Sequence, residues 1–235
     1  MRDLLLLLAA TSGYVDAVSY LGLGQVFTSN MTGNTVLMGL ALGQARWPDA
    51  LRSGVALGGF LGGVTISASI VRQEKGEDIW PFRVTAALGL EMVALGAFAV
   101  VWVFARPDLN AGATPFLIAL AALAMGSQSA TVRSLGVKGV TTTYITGTWT
   151  SLVSGMVHRF QGARSRNEKQ QDDPHAPTMG LQAAVLGVYF PAAVGGGLAE
   201  THWRLAAGIP PVVAVGLVVI VAVLRFHTVP KIGRW

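Results

Sequence analysis

Charged residues are bunched along this chain. Between the bunches run stretches with no Asp, Glu, Lys or Arg: 4–15, 17–45, 53–71, 84–90 resuming after Glu91 to 105, 109–132, 139–158, 176–199 and 205–224. A helix that crosses a bilayer needs about 20 mostly apolar residues. The stretch 17–45 is too long for one helix and is interrupted by Thr28-Ser29-Asn30-Met31-Thr32-Gly33-Asn34. Divided there, the pattern predicts helical segments at 4–24, 31–45, 54–71, 84–105, 113–132, 143–158, 180–199 and 205–225. Segments 31–45 and 143–158 are short and open on hydroxyls, amides and glycine, which favour helix caps and breaks over helix interiors. They are expected as short broken or re-entrant helices, leaving about six spanning helices. The fold class is therefore an all-α polytopic membrane protein.

The pattern also repeats. The run from Leu21 to Gly33 aligns without gaps on the run from Leu135 to Gly147, with the shared form L-G-[LV]-x-x-V-x-T-x-x-[MI]-T-G. Each copy is followed by a glycine-rich segment (Gly58-Gly59-Phe60-Leu61-Gly62-Gly63, and Gly195-Gly196-Gly197) and then by a segment led by Arg83 or Arg204. The polar core of the motif is the informative part, because apolar flanks match readily in any membrane protein. The domain reading is a first membrane repeat at 1–105, a linker at 106–112 and a second repeat at 113–235. The second repeat carries a polar loop at 159–179. Three spans per repeat would make the two copies inverted. The glycines at 58, 59, 62 and 63 read as helix-packing positions, where small residues let backbones approach.

Composition sharpens the class. Of 235 residues, 52% are hydrophobic and 12% charged, against about 25% charged in ordinary soluble domains. Mean hydropathy is +0.53. The opening Arg2, Leu4 to Leu8 and Ala9-Ala10 imitate a signal peptide. Asp3 offsets the leading charge and the apolar run continues, so the segment is expected to stay as a membrane helix. The net charge of +5 reads as the positive-inside rule, not as nucleic-acid binding. With six spans and a cytoplasmic N-terminus, only Arg46, Arg52, Arg106 and Arg204 of the 17 Lys and Arg fall outside. The balance is poorer if all the segments span. Both termini are then cytoplasmic. Trp47, Trp80, Trp203 and Trp235, near segment ends, are expected at the headgroup level.

No cysteine is present, which excludes thiolate metal sites and thiol nucleophiles. The histidines, His158, His175, His202 and His227, have no ligand spacing, and no Walker loop, G-x-S-x-G or H-E-x-x-H occurs. Neither cofactor, metal nor catalytic residue is expected. The candidate chemistry lies in the repeated motif. Thr28, Ser29, Asn30, Thr32, Gly33 and Asn34 are expected to line one half of a binding site. Thr142, Thr143, Thr146, Gly147, Thr148 and Trp149 are expected to line the other. Intramembrane ionisable residues are functional candidates by default. Asp16 and Arg133 are expected to pair across the repeats, and Glu91 is a candidate for proton coupling.

The stretches Ser12-Gly13-Tyr14-Val15-Asp16-Ala17 and Val26-Phe27-Thr28-Ser29-Asn30-Met31-Thr32-Gly33-Asn34-Thr35 resemble the YoaK family of bacterial multi-pass membrane proteins. The similarity covers nearly the whole chain. It implies a bacterial cytoplasmic (inner) membrane protein with about six spans, and it supplies no substrate, catalytic residue or cofactor. The functional expectation is a transporter or channel for a small solute or ion, embedded in the lipid bilayer. Assembly as a homo-oligomer is compatible with it. The alternatives are a non-transporting scaffold or assembly protein, and an intramembrane enzyme acting on lipid.

Overall fold

The computed structural model describes residues 1–71, 80–105, 112–137, 141–143, 145–164 (side chains to 159) and 179–228. Most of the linker (106–111), most of the polar loop, Lys138 and Trp235 lie outside the described residues. The described chain is helical: α1 (Arg2–Gly22), α2 (Met31–Gly43), α3 (Trp47–Val71), α4 (Phe82–Ala105), α5 (Ala113–Ser134), α6 (Ile145–Arg164), α7 (Met179–His202) and α8 (Ile209–Ala222), closed by a π turn (Val223–His227). Six of these are long and apolar enough to cross a membrane: α1, α3, α4, α5, α7, and α8 with its π turn. α2 has only 13 residues, about 20 Å at 1.5 Å per residue. α6 is longer than the sequence predicted, because the helix continues through His158 and Arg159 into the charged region.

Helix directions explain why α2 and α6 are set apart. α1 and α7 run parallel, with Gly13 against Tyr189 and Gly22 against Glu200. α3 and α5 also run parallel, with Gly59 against Ala119 and Gly63 against Leu123. α4 and α8 are antiparallel: Thr85 meets His227, Gly216 faces Met92 and Gly208 lies on Trp102. If α6 crossed the membrane, α4 and α8 would point the same way. With α6 not crossing, parallel α1 and α7 require that α2 not cross either. Six crossings satisfy every pairing.

The core lies between α1, α4, α5 and α8, where Leu5, Leu8, Leu88, Leu95, Phe98, Trp102, Leu117, Ile118, Met125 and Val215 are buried. Apolar side chains also point outward, among them Phe104 (82% exposed) and Phe190 (72%). In a soluble protein such a surface would be a liability; in a bilayer it is the lipid-facing side. Trp47 and Trp203 are exposed at helix ends as expected. Trp80 is not: it is buried, donates from Nε1 to Thr85 Oγ1 (3.0 Å) and stacks on Phe226. An internal acceptor and a partner ring hold this indole inside.

Close packing comes from part of the glycine-rich stretch. A Cβ on Gly59 would come within 2.8 Å of the Ala119 carbonyl oxygen, and one on Gly63 would collide with that of Leu123. Gly126 meets the Phe60 carbonyl in the same way, and Gly13 and Gly196 do so with Tyr189 and Tyr14. Gly58 and Gly62 face open space. They lie on the other side of α3 and do not pack.

Candidate functional site: two helix breaks at membrane depth

α1 and α5 end alike. Leu23 and Leu135 follow the last helical residues, and then Gly24 (φ 86°) and Gly136 (φ 66°) take left-handed conformations. Glycine reaches that region without the steric penalty of a Cβ. After α1 the turn sends the chain back into the protein. Thr28 and Ser29 return to the level of Asp16, six residues before the end of α1, about 9 Å down its axis. The first break therefore dips into the membrane, and α2 starts at depth.

Asp16 holds that dip. Its Oδ1 accepts from the Thr28 and Ser29 backbone N–H groups (both 2.8 Å) and from Thr28 Oγ1 (3.3 Å). Its Oδ2 accepts from Ser29 Oγ and, from α7, Tyr189 OH (3.2 Å). A buried carboxylate is tolerated only with such donors around it. Asn34 closes the turn by reaching back seven residues: Nδ2 donates to the Phe27 carbonyl (2.6 Å) and Oδ1 accepts from Phe27 N–H (3.0 Å). Asn30 caps α2 by accepting from Gly33 N–H (3.1 Å). The Phe27 ring stacks on Tyr20 and lies 3.1 Å from where a Gly33 Cβ would be, which is why glycine suits the motif there.

The second break has the same plan with weaker parts. Thr148 spans Thr141 as Asn34 spans Phe27, but one hydroxyl must serve both backbone groups, at 3.4 and 3.5 Å. Where Asp16 holds Thr28, Gln128 of α5 holds Thr142, with Nε2 2.9 Å from Thr142 Oγ1 and 3.0 Å from the Leu8 carbonyl. Gln128 Oε1 has no partner. The two breaks meet directly at Ser29 Oγ, whose single proton is shared between Asp16 Oδ2 and the Thr143 carbonyl (2.9 Å).

The expected site residues thus divide. Asp16, Thr28, Ser29, Asn34, Thr142, Thr143 and Thr148 are buried at the junction. Asn30, Thr32, Thr146 and Trp149 are exposed, and Gly33 and Gly147 are half-buried. The expected Asp16–Arg133 pair is absent. Asp16 is 4% exposed with all its partners uncharged, while Arg133 is exposed near the end of α5. The returning loop fills the space the arginine would need. Glu91 is fully buried on α4, bonded to neither break, and both its oxygens lack a partner. Two participants escaped the sequence analysis. The role of Gln128 was readable only by aligning it with Asp16 two residues out of motif register. Tyr189 carries no motif at all.

A helical bundle with six crossings and two helix breaks that meet inside it defines a polytopic membrane protein. The chain belongs to the family described as "Protein of unknown function (DUF1275)", which matches residues 4–224. It is also 40% identical over 161 residues to the UPF0700 transmembrane protein YoaK of Bacillus subtilis (strain 168), covering 68% of each chain. No solved structure matches it.

Proposed function

We propose that the protein carries a small solute or ion across the bacterial inner membrane, through a site formed where two inverted repeats (1–105 and 113–235, joined by 106–112) bring their breaks together. The observation that carries this reading is the Ser29–Thr143 contact, which joins the two interruptions. Irregular backbone within a bilayer is tolerated only when buried in protein or lining a watery passage, and broken helices at a repeat interface are how repeat-built transporters form their sites. Supporting the repeats, α1 lies on α7 as α5 lies on α3, so each half contributes its first long helix to the other. Gly13 and Gly126 take matching places in those two pairs. In this reading Asn30, Thr32 and Gly33 offer polar surface to the passage from one side, and Thr146, Gly147 and Trp149 from the other. Asp16, Thr28, Ser29, Asn34, Thr142, Thr143 and Thr148 form the junction that must part or shift. Glu91 serves a coupled proton step, and Arg133 lies at the cytoplasmic mouth. Both termini are cytoplasmic.

One observation favours a second reading. Most junction hydroxyls and amides are already bonded to one another or to nearby backbone, as a non-transporting scaffold or assembly protein would have them. Flux assays in proteoliposomes separate the two. The transport reading expects solute or ion flux in the wild type, reduced at least about tenfold in Asn30→Ala or Thr146→Ala, a loss of about 1.4 kcal/mol of barrier lowering. Flux unchanged in both variants removes these residues from the site, and no flux of any tested solute favours the scaffold.

A further inference from the structure

We propose that the species bound between the repeats is a small cation, not an anion, held by oxygen atoms from α1, α4 and α5 with Glu91 as its countercharge. The inference rests on the transport reading above and supplies the sign of its ligand.

Helix N-termini draw anions through free N–H groups and the positive end of the helix dipole. At the first break the loop N–H groups ahead of α2, and one in its first turn, are already engaged. The N–H groups of Thr28 and Ser29 point at the Asp16 carboxylate, that of Phe27 at Asn34 Oδ1, and that of Gly33 at Asn30 Oδ1. An arriving anion would find its donors taken and a resident negative charge beside them.

Buried acceptors with unmet need lie nearby, alongside the unpartnered hydroxyls of Ser12, Tyr14 and Ser19. Glu91 Oε1 and Oε2 and Gln128 Oε1 are buried, and no donor reaches them. Amide and carboxylate oxygens accept and do not donate. Ser12 Oγ, fully buried, is also without a partner. Each of the helices α1 and α4 brings its atom within a turn of a contact to one pair of α5 residues. Gln128 Nε2 bonds the Leu8 carbonyl, and Ser12 lies one turn further along α1 on the same face. Ser127 Oγ bonds the Ala87 carbonyl (3.0 Å), and Glu91 lies one turn further along α4. Ser12 and Glu91 sit near the middle of their helices, where an unpaired carboxyl is costliest. Other ionisable residues meet α4 near its two ends: Arg83 on the Ile70 carbonyl (3.1 Å) and His227 on Thr85 Oγ1 (2.9 Å) at its start, and Arg204, whose carbonyl accepts from Trp102 Nε1 (2.8 Å), with Glu200 beside the Trp102 ring, toward its end. None of them bonds the Glu91 carboxyl. An oxygen set with one carboxyl suits a proton or a small monovalent cation, which take hard oxygen ligands.

Thermal unfolding of the purified protein in detergent tests this at fixed ionic strength. In one arm choline is replaced by Na⁺, K⁺ or NH₄⁺ at constant pH; in the other, pH is varied in choline alone. The expected result is that one of these cations, or the proton, raises the wild-type midpoint by several degrees. Glu91→Gln, which keeps size and removes the charge, loses that shift, and Glu91→Asp retains part of it. A shift that survives in Glu91→Gln overturns the proposal. So does a midpoint that follows exchange of chloride for other anions and ignores the cation arms, or one indifferent to every arm. Cation-dependent stabilisation without flux of any solute would keep this site and discard transport. Flux of a neutral solute or an anion without cation dependence would do the reverse.

Discussion

At the scale of single residues, Asp16 is the keystone of the first break. Two backbone N–H groups and three hydroxyl contacts converge on its carboxylate, and hydrogen bonds to charged groups contribute roughly 1.5–3 kcal/mol each. Replacement by Asn puts an NH₂ where only acceptors serve, so one donor is left facing another. Asp16→Asn is expected to destabilise the folded protein by at least about 2 kcal/mol, read as a lower midpoint in thermal unfolding. Gln128→Leu, which removes a single neutral bond to Thr142 along with one to Leu8, is expected to cost less; an equal or larger loss would contradict the ranking of the two breaks. The sequence singled out Asp16 because an acid inside an apolar run is rare. Its partner was misjudged, because charge arithmetic favours Arg133. What satisfies the acid is backbone brought back by the loop, and no residue identity records where free N–H groups will point.

At the scale of helices, length and polarity were legible. Five of the six spans matched to within four residues at each end, because charge-free runs near 20 residues have few alternatives in a bilayer, while α3 starts at Trp47, seven residues before the expected 54. α6 overran its expected end, since arginine and glutamine are good helix formers and nothing in 158–164 stops a helix. The glycine-rich stretch was legible only as a composition. Which glycines pack depends on the face α3 turns to α5, and the face is set in the folded bundle. Gly63→Ala and Gly126→Ala are expected to destabilise by roughly 1–3 kcal/mol or more through backbone overpacking, since each new methyl would strike a carbonyl on the facing helix. Gly58→Ala and Gly62→Ala meet nothing within 4 Å and gain about 1 kcal/mol of helix propensity at most. Paired melts of the four variants check this, and equal behaviour at 58 and 63 would mean the α3–α5 face is drawn wrongly.

At the scale of the whole molecule, the basic residues and the helix directions arrive at the same topology by independent routes. The first counts Lys and Arg; the second needs only that α4 and α8 oppose each other while α1 and α7 agree. They meet at the α2–α3 joint, where Arg46 and Arg52 both bridge to Asp49 (3.2 and 2.9 Å). In the proposed orientation these two arginines lie on the outer side, against the rule, and both are held in that turn by Asp49. The chain has no cysteine, so single introduced cysteines report without background. With a membrane-impermeant maleimide on intact cells, Gln44→Cys in that joint is expected to label from outside. His158→Cys, in the exposed return of α6, is expected to label only after the membrane is opened. Eight crossings would put residue 44 inside. Protection of Gln44→Cys in intact cells, with labelling after permeabilisation, would make α2 a true span and move the first break away from the middle of the membrane. The junction with Thr143 would then lose the depth that makes it a candidate passage.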